Sequence, residues 1–308
     1  MLRDDLTSAR TTNTQMASKL SPSLKALVNK ASARPGQVPA PRGIQDLYRR
    51  LRGEARERKY GDRSWLILSA AATFTLNSPE SLCRLHAVAA GNPLDTQSNL
   101  ATAETIREVG LKCISFNGIP RTINCLTGFT ENVENVDLTV LETRASRAVT
   151  VETVEATSRR GRDLWRSIYV PFDEKLEVKL AKAHPDLPVH ILGSHYGPLL
   201  ANPECDRGKL ATIGRNLTSV VAISCLRAQT GVGPQVLSHV FGLRKGIEQG
   251  THKEEFAGVA AEAEGIERLA TDEGCEWLLN SVDAISGAIG SNFAQHTGLD
   301  GAPPKAKL

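Results

Sequence analysis

Long apolar runs are absent from this 308-residue chain. Crossing a bilayer as a helix takes roughly 20 consecutive apolar residues. The longest candidates here, residues 66–72 and 220–225, have the length of buried helix segments, so no membrane span is expected. An excess of one charge is absent too. Lys and Arg number 37 against 34 Asp and Glu, a net charge of +3, too small to argue for nucleic acid. Aromatics make up only 5%. Runs of alternating β-branched residues are few, and Ala- and Leu-rich segments take their place. That balance predicts an all-α fold. Cysteine pairs at C-x-x-C spacing are missing. The six cysteines, at 83, 113, 125, 205, 225 and 275, show no dense disulfide spacing and read as free thiols in a reducing compartment. Cys113, Cys125 and Cys225 fall in apolar helical settings and are expected in the core. A metal site is not expected either: His190 and His195 stand at His-x4-His spacing without a third ligand. No cofactor is implied.

What is present suits one large domain or two small ones, with an apolar fraction of 41% that is ample for a core. Residues 1–43 read as a flexible arm rich in Ser, Thr, Ala and Pro. Leu20, Leu24, Leu27 and Val28 share a helical face inside it, among basic residues and no acidic ones from 16 to 42. Such a segment reads either as a short docking helix with an extended arm or as a mitochondrial transit peptide, the latter more naturally if translation starts at Met16. Residues 44–130 form a first helical unit. An amphipathic helix over 44–59 carries Ile44, Leu47, Tyr48 and Leu51 on one face. A buried helix starts at Asp62, and another starts at Ser78-Pro79, holding Cys83 and His86 up to Gly91. Residues 131–164 are polar and read as connector. A second unit, 165–297, begins at Trp165. In it, residues 184–200 read as a helix followed by a Tyr196-Gly197 turn. A flexible tail fills 298–308.

The most informative stretch is 104–126, Glu-Thr-Ile-Arg-Glu-Val-Gly-Leu-Lys-Cys-Ile-Ser-Phe-Asn-Gly-Ile-Pro-Arg-Thr-Ile-Asn-Cys-Leu. Ile106, Val109, Cys113 and Phe116 recur at helical spacing. Thr102 is expected as N-cap, with Glu104 in the first turn. Gly118 is expected to end the helix in a left-handed conformation, Pro120 to sit in the first turn of the next, and Ile123 and Leu126 to continue the apolar face. The order Glu-x-x-Arg-Glu, apolar helix, Gly-Ile-Pro-Arg-x-x-Asn resembles the carboxymuconolactone decarboxylase and AhpD-like alkylhydroperoxidase superfamily. The run from Gly214-Arg215 looks like a counterpart of that from Asp62-Arg63, and Pro234 to Gly246 one of Pro79 to Gly91. The resemblance therefore implies an AhpD-like helical bundle with two pseudo-repeats in one chain, an internal duplication. It also implies a homo-oligomer.

Dithiol peroxidases of that family use a Glu, a C-x-x-C pair and a following His. Here Gln235 and Val232 stand four and seven residues before His239, and Leu82 and Pro79 before His86, so that mechanism is not expected. The decarboxylase branch lacks the Cys pair and relies on His and polar groups. The resemblance makes His239 the family His, and a cation such as Arg215 or Arg244 would hold an acid. His239 reads equally as a satisfied core histidine. Cys83 and His86, at i and i+3, share a helix face, where an imidazolium would lower the thiol pKa and make Cys83 a nucleophile; a buried Cys beside a separate His is the alternative. His195 and Tyr196 are candidates to line a substrate pocket. Two classes of function follow. One is an enzyme on a small carboxylate, lactone or hydroperoxide, with His239, Cys83 and His86 catalytic and His195, Tyr196 and Arg215 binding substrate. The other is a non-catalytic scaffold or small-molecule binder that has lost the site.

The final residues, Ala306-Lys307-Leu308, match the small-basic-Leu pattern of a peroxisomal signal. The expected partner is the peroxisomal import receptor, and the expected compartment the peroxisome, with mitochondrion or cytoplasm as alternatives.

Overall fold

A computed structural model describes residues 20–290 of the protein. Ala306, Lys307 and Leu308, read from the sequence as a targeting signal, lie outside the described residues. Among those described there are fourteen α-helices and no strand, so the fold is all-α. The chain divides into two units at Gln37 and Val38.

The first unit holds the short helix α1 (Pro22–Val28), capped by the Ser21 hydroxyl, which accepts from the Leu24 amide at 3.2 Å. Leu20, Leu24, Leu27 and Val28 are all exposed. Residues 38–43, expected in the arm, belong to the second unit. The Val38 amide donates to Asn77 O at 2.9 Å, and the Ala40 amide to a Glu80 oxygen at 3.0 Å.

The second unit is built around two helices, α3 (Asp62–Thr75) and α10 (Arg215–Gln229), packed on each other. Every residue from Ser64 to Thr75 is buried, and so is every residue from Asn216 to Leu226. Small side chains at Ala70, Ala71 and Ala72 keep α3 slim enough for neighbours on every side. Two of its polar side chains turn back on the helix itself: Thr73 and Thr75 donate to the carbonyls four residues back, at 2.7 and 2.8 Å. Each fully buried Leu or Ile of this pair is worth about 1.5–3 kcal/mol.

Helices α2 (Ile44–Glu57), α4 (Pro79–Ala90), α5 (Thr96–Asn117) and α6 (Ile119–Asn132) surround α3. In α2 the buried residues are Ile44, Tyr48, Leu51 and Ala55, the helical stripe that its sequence announces. Around α10 lie α11 (Gly233–Glu248), α12 (Thr251–Glu255), α5 and α14 (Asp272–Ile289), with α13 (Ala260–Leu269) against α14. One continuous core, from Ile44 to Ile289, runs through residues of both expected units. A smaller cluster joins Trp165 and Ile168 of α7 (Val154–Tyr169) to Tyr196 and Leu200. Helix α7 runs unbroken across the 164/165 border expected between connector and second unit. Helices α8 (Asp173–Ala183) and α9 (Asp186–His190) follow it.

Three local readings are corrected. Thr102 is not an N-cap. Helix α5 starts two turns earlier, where the Asp95 carboxylate accepts from the Ser98 amide at 3.0 Å, and Thr102 is buried inside the helix. Tyr196-Gly197 is not a turn: a π-helix, Ile191–Leu200, continues from α9 through it. Pro198 has no N–H to contribute to an ordinary helical ladder, and the widened turn carries it. On α6 the inward face is Thr122, Cys125 and Phe129, while Ile123 is exposed. Gly118 does end α5 at φ +78°, but its ψ of 166° is extended, and α6 starts at the next residue with Pro120 in its first turn.

Candidate functional site

Three of the site residues singled out in the sequence, His239, Tyr196 and Arg215, gather at one aromatic cluster. His239, on α11, is 7% exposed. Its ring meets Phe116 edge-on at 5.9 Å and Tyr169 at 6.2 Å. Tyr169 lies 4.2 Å from Trp165, and Tyr196 lies 5.1 Å from it. The Tyr196 hydroxyl donates to that of Tyr169 at 3.1 Å, and burial pushes both phenols up. Arg215, at the first position of α10, reaches between two other helices. It donates to Gly242 O at 2.6 Å and to Ser167 O at 2.8 Å. Helix α11 can approach this guanidinium only because it carries Gly246, where a Cβ would come within 2.4 Å of Arg215 Nη1. His195 sits beside the cluster, its Nδ1 3.0 Å from the Ser115 hydroxyl next to Phe116.

Electrostatics set the protonation of these groups. Burial, and then the Arg215 charge, push His239 down to about 4, so its imidazole is neutral at pH 7. Burial lowers Arg215 to about 10, with Glu255 opposing, and it stays cationic. His195 is lowered by burial and by His190, whose ring is 5.2 Å away. Three nitrogens here are buried with no hydrogen-bond partner among the described residues: His239 Nδ1, Trp165 Nε1 and Arg215 Nε. Other buried polar atoms lack partners elsewhere in the fold, Ser64 Oγ and Ser69 Oγ among them; each calls for an explanation, of which a catalytic or binding role is one.

Cys83 and His86 lie elsewhere, on α4, each with its own partner, as in the alternative of a buried Cys beside a separate His. The Cys83 thiol stands 4.0 Å from Phe129 O, and burial pushes it up to about 11, so it is protonated at neutral pH. His86 Nε2 lies 2.9 Å from Asn99 O, a carbonyl that can only accept, and burial lowers this histidine. With His86 neutral, no imidazolium charge stands beside Cys83 to lower its pKa. Cys113, Cys125 and Cys225 are buried and free, as their settings implied, with the Cys113 and Cys225 sulfurs 3.5 Å apart. No group of three or more potential metal ligands occurs among the described residues.

Sequence reading missed Lys112. It is fully buried, and its ammonium donates to Leu200 O at 2.5 Å, Ile213 O at 2.9 Å and the Thr218 hydroxyl at 3.0 Å. Burial lowers it to about 7. The signal was there: Lys112 stands three residues after Val109 and four before Phe116, on the inward face of α5. The acidic residues of the same stretch are also structural. Glu108 is clasped by Arg147 and Arg207, at 2.5 and 2.8 Å, and Glu104 by Arg107 at 2.8 Å. They fasten residues 142–147 and 207 onto α5.

The chain matches no family model, no curated protein and no solved structure.

Proposed function

We propose that this chain is a carboxymuconolactone decarboxylase-like or AhpD-like helical protein of two pseudo-repeats. It acts on a small carboxylate or lactone carboxylate at the His239–Arg215–Tyr196 cluster, without a dithiol couple. The observation that carries this reading is that three residues grouped at one aromatic cluster each hold a buried nitrogen without a hydrogen-bond partner: His239 Nδ1, Trp165 Nε1 and Arg215 Nε. Arg215 supplies the cation for a substrate carboxylate. A neutral His239 donates at one nitrogen and accepts at the other, so it orients substrate and stabilises an enolate by hydrogen bonding. A pKa near 4 makes it a feeble general base at neutral pH. A protonated Cys83 supports the exclusion of peroxide-reducing thiol chemistry.

The pseudo-repeat is supported by a shared device. A glutamate from a distant helix caps the start of α3 and another the start of α10, each beside a glycine, Gly61 or Gly214, whose Cβ would strike that glutamate. With the C-terminal Ala306-Lys307-Leu308 as address, the proposal includes import into the peroxisome through its receptor, and association into a homo-oligomer.

Turnover of small lactone carboxylates by the pure protein tests the reading. His239→Gln is expected to lower kcat about a hundredfold, the loss typical of one transition-state hydrogen bond, while the fold is kept. Unchanged turnover, or rapid thiol-dependent reduction of an alkyl hydroperoxide, overturns it. The second reading, a binding scaffold without catalysis, is favoured by the close packing of Phe116 and Tyr169 on His239. It is the outcome if carboxylates bind and no product forms.

A further inference from the structure

We infer that the cavity above Trp65 is a second ligand site, for an organic anion that carries a carboxylate or phosphate group on an apolar body. The cavity has a volume of about 570 Å³. Sites for small molecules occupy roughly 300–1,000 Å³. Trp65 and Leu66 of α3 line it together with several alanines, which gives it an apolar wall.

Three cations face it from three parts of the chain: Arg52 on α2, Arg63 on α3 and Lys209 in the segment between the π-helix and α10. None of them has an ion-pair partner among the described residues. Each donates to a backbone carbonyl instead: Arg52 to Val88 O at 2.5 Å, Arg63 to Thr212 O at 2.5 Å, and Lys209 to Val140 O at 2.8 Å. A carbonyl leaves the full positive charge in place. The two carboxylates in the lining do not cancel it, because each is already held by an arginine outside the lining. Asp62 accepts from Arg56 at 3.0 and 3.2 Å, and Glu104 accepts from Arg107 at 2.8 Å on both oxygens.

Arg52 carries a further mark. Its Nε is buried without a hydrogen-bond partner, and its guanidinium stands 5.9 Å over the Trp65 ring. An anion entering here meets two guanidiniums and an ammonium, while its apolar body packs against the alanines of the wall, beside the Arg52–Trp65 pair. The helix terminus contributes nothing to the site, since the first amides of α3 are occupied by Glu262. No residue of the His239 cluster lines this cavity, so the two sites are independent.

Calorimetry and tryptophan fluorescence of the full chain test the inference, with benzoate, adipate and phenyl phosphate as probes at constant ionic strength. At least one probe is expected to bind saturably with a single site and to change tryptophan emission. Tighter binding of the carboxylates, or of phenyl phosphate, identifies the headgroup. Lys209→Glu, at an exposed position, is expected to weaken binding about tenfold or more, equivalent to about 1.4 kcal/mol. Ala101→Trp, which fills the cavity from exposed α5 surface without removing a charge, is expected to abolish it. His239→Gln leaves binding intact, which separates this site from the proposed catalytic one. Absence of saturation by all three probes up to about 10 mM, or binding that survives both Lys209→Glu and Ala101→Trp, overturns the inference.

Discussion

Glu255 holds the start of α10 by accepting from the Asn216 amide at 2.7 Å; its other oxygen takes the Leu217 amide at 3.1 Å, and the Asn216 side chain adds a third bond at 2.8 Å. Glu262 treats α3 in the same way through the Asp62 amide at 2.9 Å and the Arg63 amide at 3.3 Å. Both central helices therefore receive their N-terminal charge from carboxylates that arrive from far along the chain, which favours the helix dipole and satisfies amides that no helical carbonyl can reach. Glu255→Ala is expected to cost about 2–3 kcal/mol, because three charge-assisted bonds are lost inside the protein. Glu262→Ala is expected to cost about 1 kcal/mol, the scale of a lost cap. Urea unfolding of the two variants checks the order, and a smaller loss at Glu255 than at Glu262 contradicts it.

The contact between α7 and the π-helix rests on two glycines. A Cβ on Gly161 would come within 2.6 Å of the Gly197 nitrogen, and one on Gly197 within 2.6 Å of Thr157 O. Both obstacles are backbone, which has no rotamer to escape into. Gly161→Ala is expected to destabilise by about 1–3 kcal/mol, despite the better helix propensity of alanine. It is also expected to disturb the packing of Trp165 on Tyr196. Thermal unfolding together with near-ultraviolet circular dichroism reads both effects; an unchanged or raised Tm would count against the close approach.

Lys112 gives a pH signature. Its folded pKa is about 7 against 10.5 in the open chain, lowered by burial and partly restored by Glu108. The unfolded state therefore holds more protons between those values, and stability contributed by this group rises with pH across that window. Lys112→Met, which keeps the volume, leaves Leu200 O without the donor it has in the parent. At pH 7 it is expected to cost about 1–3 kcal/mol, the penalty of an unsatisfied buried carbonyl. The gap to the parent is then expected to widen by up to about 1.4 kcal/mol per pH unit from pH 7 to 9. Denaturant melts of both proteins at the two pH values decide it; a gap that narrows contradicts the assignment.

Much of the architecture was legible in the residues. The Ile44, Tyr48, Leu51 stripe, the apolar run after Asp62, and the Gly118-Ile119-Pro120 break each carry local signals strong enough to survive tertiary packing. What escaped has a common cause. Thr102 has the chemistry of a cap, but Asp95 starts the helix two turns earlier by accepting from the Ser98 amide, and α5 buries Thr102. Tyr196-Gly197-Pro198 has turn chemistry, yet its glycine is there to let α7 approach. Lys112 falls on the inward face by spacing, but its three acceptors come from residues 200, 213 and 218, which no local window contains. The site shows the same division. His239, Tyr196 and Arg215 were found one by one, but Trp165 and Tyr169, which bind them into a cluster, carry no motif. Cys83 and His86 share a helix spacing, yet the thiol turns to Phe129 O and the imidazole to Asn99 O.

His239 provides the last test, and it distinguishes a buried neutral imidazole from one open to solvent. Burial and the Arg215 charge lower its folded pKa to about 4, against 6.5 in the unfolded chain. Below pH 6.5 the unfolded state takes up a proton that the folded state refuses until about pH 4, so stability falls as the solution is acidified through this window. The full difference of the two values corresponds to about 3 kcal/mol. Replacing His239 with Gln, which cannot titrate, is expected to flatten this part of the stability–pH curve relative to the parent while leaving carboxylate titrations in place. Proton nuclear magnetic resonance of the histidine ring gives the same quantity directly, and a His239 resonance that titrates near 6.5 in the folded protein would remove both the neutral imidazole and the enolate-stabilising role drawn from it.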